Sequence, residues 1–249
     1  MNIPIRSTTD YQSERVDLAA AFRWAERLNM HEGVANHFSL AVNDDGTQFL
    51  LNPDQSHFSI IRASDLLLLD ANDKTTLAQP DAPDATAWGL HGSLHRRCPH
   101  VRCALHVHST YATALASLAD SRLPAVDQNT AMFFERVVID DNFGGLAFES
   151  EGERCAALFN DPKTQVMVMG NHGIMVVGNT VAEAFNRLYY FEKAAQNYIL
   201  ALQTGRPLRI MADEIARKVA DGLDTYYADY KHFSRLKEIL DKEGSDYAS

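Results

Sequence analysis

Three histidines carry the chain's clearest chemical signal. His106 and His108 stand in Cys103-Ala104-Leu105-His106-Val107-His108-Ser109. Side chains two apart on an extended strand leave the same face, so both imidazoles reach one point while Leu105 and Val107 fill the other side. His172 stands in Gly170-Asn171-His172-Gly173, between the apolar runs Val166 to Met169 and Ile174 to Val177. That pattern reads as strand, tight turn and strand, with the histidine at the tip. Three imidazoles around one divalent cation, with a fourth position open, describe a catalytic centre for zinc, or alternatively manganese or iron, rather than a closed structural site. A substrate oxygen would take the open position. Either segment taken alone is also what ordinary half-buried histidines produce.

The elements that must position these residues are legible in outline. Val16, Leu18, Ala19, Phe22, Trp24, Ala25 and Leu28 recur near helical spacing and predict a first helix that stops before Gly33. Ser39 to Asn43 and Thr47 to Leu51 flank Asp44-Asp45-Gly46 and read as a hairpin. Leu66 to Asp70 reads as a buried strand. A helix from about Ala85 to Arg97 ends at Cys98-Pro99, where proline's missing amide and its restriction of the preceding residue favour termination. His91 and His95 lie four apart on one face of it, as acid/base groups or as structural residues.

Ser109 is placed to cap a helix through Leu118, whose amino terminus beside the histidine pair would favour anions. Val137 to Asp140 is a further strand. Ser150-Glu151-Gly152-Glu153 reads as a capping box for a helix to about Phe159, and Thr180-Val181-Ala182-Glu183 as a second, opening a long helix that Gly205 and Pro207 close. A final helix is expected near Met211 to Leu240. Hairpins mixed with helices predict an α/β fold, a three-layer α/β/α sandwich with a mainly antiparallel central sheet.

Composition bounds the partners. With 249 residues and no linker-like composition break, the expectation is one domain over 1–249 with a C-terminal helical extension from about 206. There is no apolar run of membrane-spanning length, and Met1-Asn2-Ile3-Pro4-Ile5-Arg6 lacks a secretory apolar stretch. Cys98, Cys103 and Cys155 form no C-x-x-C pair and no even set, which suits reduced core thiols in the cytoplasm. A net charge of −10 disfavours broad contact with nucleic acid, and Arg96, Arg97 and Arg102 read as helix-end or subunit contacts. The expected partner is a small molecule, with neither nucleic acid nor membrane.

Taken in order, Gly33-Val34-Ala35-Asn36-His37-Phe38-Ser39, Leu51-Asn52-Pro53, Arg62-Ala63-Ser64-Asp65-Leu66, His106-Val107-His108 and Asn171-His172-Gly173 resemble the class II aldolase/adducin superfamily from about Val16 to Gly205. The resemblance implies a nine-stranded antiparallel sheet between helices and a homotetramer with active sites at subunit boundaries. It also implies a divalent ion on His106, His108 and His172, acting as a Lewis acid on enolate-like charge. The chain departs from the aldolases in two places. Counting back from His91, the catalytic carboxylate falls on Ala87, which cannot be a base; this is closest to the adducin-like subgroup. Asp84, one turn earlier, is the nearest substitute or, alternatively, a solvated residue at the helix amino terminus. The small hydroxyl and glycine residues of the phosphate pocket are replaced by Leu51-Asn52-Pro53-Asp54-Gln55-Ser56, and Asp54 would repel a phosphate if it faced the pocket.

The resulting expectation is a metal-dependent lyase, aldolase-like or decarboxylating, that cleaves a carbon–carbon bond of a small non-phosphorylated acid. Asn36, Ser39 and Asn52 are the substrate-binding candidates; His91, His95 and Asp84, with His37 beside them, are the acid/base candidates. The aldolases' C-terminal tyrosine has Tyr226, Tyr227 and Tyr230 as its nearest counterparts, for which amphipathic packing is the other reading. An iron-dependent oxygenase and a non-catalytic adducin-like module are the alternatives, and retention of the three ligands speaks against the last.

Overall fold

The computed structural model describes residues 10–142, 144–145, 148–227 and 231–249. Helix α1 (Gln12–Arg27) buries Leu18, Ala19, Phe22 and Ala25. The hairpin follows as β1 (His37–Ala41) and β2 (Gln48–Leu51), with Leu40 opposite Leu50. Asn43 stabilises the turn by accepting from the Gln48 amide at 2.9 Å. Strand β3 (Leu67–Asp70) pairs antiparallel with β2.

The helix expected over 85–97 forms in three pieces: α2 (Ala85–Ala87), a π-helical turn (Trp88–Gly92) and α3 (Ser93–Arg97). Then come β4 (Cys103–Val107), α4 (Thr110–Ala116), α5 (Gln128–Met132) and β5 (Val137–Asp140). The chain continues through α6 (Glu149–Ala156), β6 (Val166–Met169), β7 (Gly173–Gly178) and the long α7 (Val181–Gln203). It closes with α8 (Asp213–Tyr227) and α9 (His232–Lys242).

The strands form one sheet in the order β3-β2-β1-β4-β7-β6-β5. Its alternating side chains feed two cores. On one face Leu40, Leu50, Cys103, Leu105, Val107 and Ile174 pack with Phe22 of α1 and Phe185 of α7. On the other, Ala104, Met167, Met175 and Val177 pack against Leu90, Leu94, Cys155 and Phe159. This is the three-layer sandwich, with β4 near the middle of the sheet.

Several expectations need correction. Among the described residues the sheet has seven strands, not nine. One of its pairings, β5 with β6, is parallel, because the connection between them crosses over through α6 and returns in the same direction. Ser150 does not cap α6: the helix starts at Glu149, and the Glu153 carboxylate that would complete the box is engaged by Arg96 and Arg97. The last helix is two helices. Ala216 of α8 packs with Ala125 and Ala131, whereas Phe233, Leu236 and Leu240 of α9 enter the main core, so one straight rod could not bury both faces. Tyr226 is 66 % exposed, Tyr227 falls at the end of α8, and Tyr230 lies outside the described residues. No helix among them is long and apolar enough to cross a membrane.

Candidate metal centre

The sheet register brings the first two histidines to the floor of the site. β4 lies between β1 and β7, with His106 opposite His37 on one side and Met175 on the other. His172 arrives from the β6–β7 turn, whose Asn171 takes φ 57°. Gly173 sets how close that turn comes: a Cβ there would lie 2.5 Å from the Val107 carbonyl oxygen and 2.7 Å from His108 Cδ2. The ring centroids of His106, His108 and His172 are then 4.8–4.9 Å apart pairwise. One nitrogen from each lies within 4.8 Å of the others.

Hydrogen bonds outside the triad assign its protons. His106 Nδ1 donates to the Ile174 carbonyl at 2.9 Å, and His108 Nδ1 donates to Glu32 Oε2 at 2.5 Å. A carbonyl or carboxylate only accepts, so in the neutral rings each Nδ1 holds the hydrogen and each Nε2 holds a lone pair. Those two Nε2 atoms face each other at 3.0 Å. Two lone pairs so placed repel unless a proton or a cation lies between them, and a tetrahedral zinc with Zn–N bonds of about 2.0–2.1 Å spaces its nitrogens only a few tenths of an ångström wider. The donor set therefore fits a divalent ion. Burial, then His37 and His108, holds His106 well below the ordinary imidazole range, and burial followed by His108 pushes His172 down to about 4. Both rings are thus available as ligands at neutral pH.

The acid/base candidates lie behind the triad. His37 stacks on His106 with centroids 4.8 Å apart, and its Nδ1 is 2.8 Å from His91 Nε2. Ser39 Oγ bridges His91 Nδ1 at 2.5 Å and His95 Nε2 at 2.8 Å. His91, His95 and Ser39 are fully buried, and burial pushes both His91 and His95 down to about 3. They form a neutral chain leading away from the metal ligands through His37. Asp84 is the N-cap of α2, accepting from the Thr86 and Ala87 amides at 2.8 and 3.0 Å. Ala87 is buried with Phe49, Leu51 and Leu69.

Of the substrate-binding candidates, Asn36 is the one beside the triad. Its Oδ1 accepts from the Glu32 amide at 2.7 Å and lies 3.4 Å from the His108 amide, while its buried Nδ2 meets no acceptor among the described residues. Asn52 spends its Oδ1 on the Phe38 amide at 3.1 Å. The anion-favouring terminus of α4 is already filled from within. Glu192 accepts from Ser109 Oγ at 2.7 Å and from the Tyr111 and Ala112 amides at 2.9 Å.

Glu32 and Glu192 were not evident from the sequence, because neither contact has a local period; Glu32 does immediately precede the Gly33 to Ser39 segment. A second acidic grouping, Asp140, Glu151 and Cys155, has the Arg154 guanidinium bonded to both carboxylates, so a cation already occupies it. A cavity of about 640 Å³, lined by Arg136, Gln165, Asn186 and Asp224 among others, lies toward the opposite ends of β5 and β6 from the triad.

Comparison with known proteins identifies the family and the fold. Residues 16–199 match the family described as the Class II Aldolase and Adducin N-terminal domain. The chain is 27 % identical over 233 residues to Decarboxylase NovR of Streptomyces niveus, spanning 93 % of this chain and 85 % of that one. It is 26 % identical over 233 residues to the 4-hydroxy-3-prenylphenylpyruvate oxygenase/4-hydroxy-3-prenylbenzoate synthase of Streptomyces roseochromogenus subsp. oscitans, spanning 93 % and 83 %. Among solved structures, an aldolase II superfamily protein from Pseudomonas syringae superposes with a TM-score of 0.83 at 27 % identity, covering 98 % of each chain.

Proposed function

Because the chain belongs to the class II aldolase and adducin N-terminal domain family, we propose that it is a divalent-metal-dependent lyase that breaks a carbon–carbon bond of a small, oxygen-rich, non-phosphorylated acid, with decarboxylation favoured over aldol cleavage. The observation that carries this reading is the pair of inward Nε2 lone pairs of His106 and His108, 3.0 Å apart and closed by His172. Zinc is the first choice of ion, with manganese and iron as alternatives. Bound there, it supplies Lewis acidity for enolate-like charge.

Decarboxylation is favoured because loss of carbon dioxide leaves the electron pair on carbon without any base removing a proton. That agrees with Ala87, buried in an apolar cluster at the position where the aldolases keep their carboxylate. The buried Nδ2 of Asn36 is the donor best placed to orient a carboxylate or keto oxygen beside the triad. The replacement of the aldolases' small phosphate-pocket residues by Leu51 to Ser56 supports a substrate without a phosphate group. The buried free thiols suit a reducing cytoplasm, and a homotetramer with sites at subunit boundaries is the assembly we assign. A second reading, an iron-dependent oxygenase, is favoured by the 26 % identity to the oxygenase/synthase.

The test is metal analysis of the purified protein, followed by incubation with hydroxy and keto acids under zinc, manganese or iron(II) while carbon dioxide and dissolved oxygen are monitored together. Carbon dioxide release without oxygen uptake is expected; stoichiometric oxygen uptake with iron moves the assignment to the oxygenase. His172→Ala is expected to abolish tight metal binding. Unchanged metal affinity in that variant would remove the centre and the proposed chemistry with it.

A further inference from the structure

We propose that Glu32 is a positioning residue of this centre: its carboxylate holds His108 by Nδ1 so that Nε2 faces the cation. The inference rests on the metal reading of the triad. His106 is held by a backbone carbonyl of the sheet, Ile174. His108 lies one residue past the end of β4, beyond the ladder that would supply such a carbonyl. A side chain takes that role from the turn between α1 and β1, across 76 residues of sequence.

The turn is built to deliver it. The Ala35 amide donates to the Glu32 carbonyl at 3.0 Å, and Asn36 Oδ1 accepts from the Glu32 amide at 2.7 Å while lying 3.4 Å from the His108 amide. One asparagine side chain thus joins the Glu32 backbone to the backbone of the ligand it orients. The Glu32 side chain is 66 % exposed and that of His108 16 %. A hydrogen bond to so exposed a carboxylate contributes little to folding, so stability alone gives this arrangement no purpose. Toward a metal it has one: a carboxylate on the far nitrogen settles the tautomer, restrains ring rotation and raises the donor strength of the near nitrogen. The bond is compatible with loading, because a metal would take the lone pair of Nε2 and leave the proton of Nδ1 in place.

The experiment uses cobalt(II) as the probe metal on the full chain, measuring affinity by chelator competition and the ligand field by visible absorption. Glu32→Ala is expected to weaken cobalt binding about 10–100-fold and to shift the visible bands of the bound form, with the urea midpoint unchanged. Glu32→Gln, which keeps an acceptor at the same reach without the charge, is expected to recover part of the loss. Affinity within about twofold of wild type and an unchanged spectrum in Glu32→Ala would overturn the inference while leaving the triad standing. A weakened affinity accompanied by a lowered urea midpoint and an unchanged spectrum would overturn it too, as a structural effect. Failure of the wild-type chain to bind cobalt, or retention of binding in His172→Ala, would instead defeat the metal reading, and this inference with it.

Discussion

His91 and His95 sit at zero exposure in a chain of neutral hydrogen bonds, and their protonation differs between the folded and unfolded states. Each has a folded pKa pushed down to about 3 by burial, whereas an unfolded imidazole titrates near ~6.5. Between those limits the unfolded chain binds protons that the folded chain refuses. Stability is therefore full above about pH 6.5 and falls as the pH drops toward 3, by on the order of 1 kcal/mol per pH unit for each histidine. His37 and His106 are depressed in the same direction. Carboxylates, with unfolded values near ~4, contribute little to the change above pH 5. Urea midpoints of metal-free protein should fall steadily from pH 7 to pH 5, and a flat profile there would contradict a neutral buried chain. These residues also show what the sequence conveyed. The spacing of His106 and His108 is a local, period-two fact and could be read directly; the contact from Glu32 to His108 spans 76 positions and has no local signature.

The helical segment behind the sheet departs from regularity where it serves the site. The sequence reads as one helix from about Ala85 to Arg97, and the structure inserts a π-helical turn over Trp88–Gly92, a feature that recurs at functional sites. Its Gly89 carbonyl meets α6 so closely that a Cβ on Gly152 would lie 1.9 Å from that oxygen and 3.0 Å from Ser93 Oγ. Two effects oppose each other in Gly152→Ala. Helix propensity favours alanine by about 1 kcal/mol, whereas overpacking against backbone costs typically ~1–3 kcal/mol and more when the obstacle cannot rotate away. A backbone carbonyl cannot, so the clash wins and the urea midpoint should fall; a variant as stable as wild type would mean that α6 does not approach the π turn so closely. Capping signals show the same mixture of local and distant causes. Thr180 caps α7 by accepting from the Glu183 amide at 3.1 Å, as its sequence pattern indicates. The similar pattern at Ser150 fails because Arg96 and Arg97 claim Glu153, a competition that only the tertiary fold creates.

At the scale of the molecule, alternating hairpins and helices were enough to indicate a three-layer sandwich, since each periodic face needs a partner layer. The strand order, with β4 moved between β1 and β7, was not legible, because pairing order is a property of long-range packing. Assembly is one step further removed from the sequence, and the surface bears on it. Val34 and Ile60 are 44 % and 65 % exposed. They lie close in sequence to His31 and Phe58, whose rings stack with centroids 5.4 Å apart, and so flank the turn that carries Glu32. Exposed apolar side chains beside a site mouth are what a subunit boundary would cover. A net charge of −10 on each chain opposes association, so apolar burial must outweigh that repulsion, and added salt should strengthen the assembly by screening it. Sedimentation at micromolar concentration is expected to give about four times the 27.8 kDa chain mass. Ile60→Asp, which would put a charge into such a contact, should shift the distribution toward smaller species with secondary structure retained. A wild-type chain that sediments as a monomer at micromolar concentration and in moderate salt would contradict the proposed tetramer and its sites at subunit boundaries.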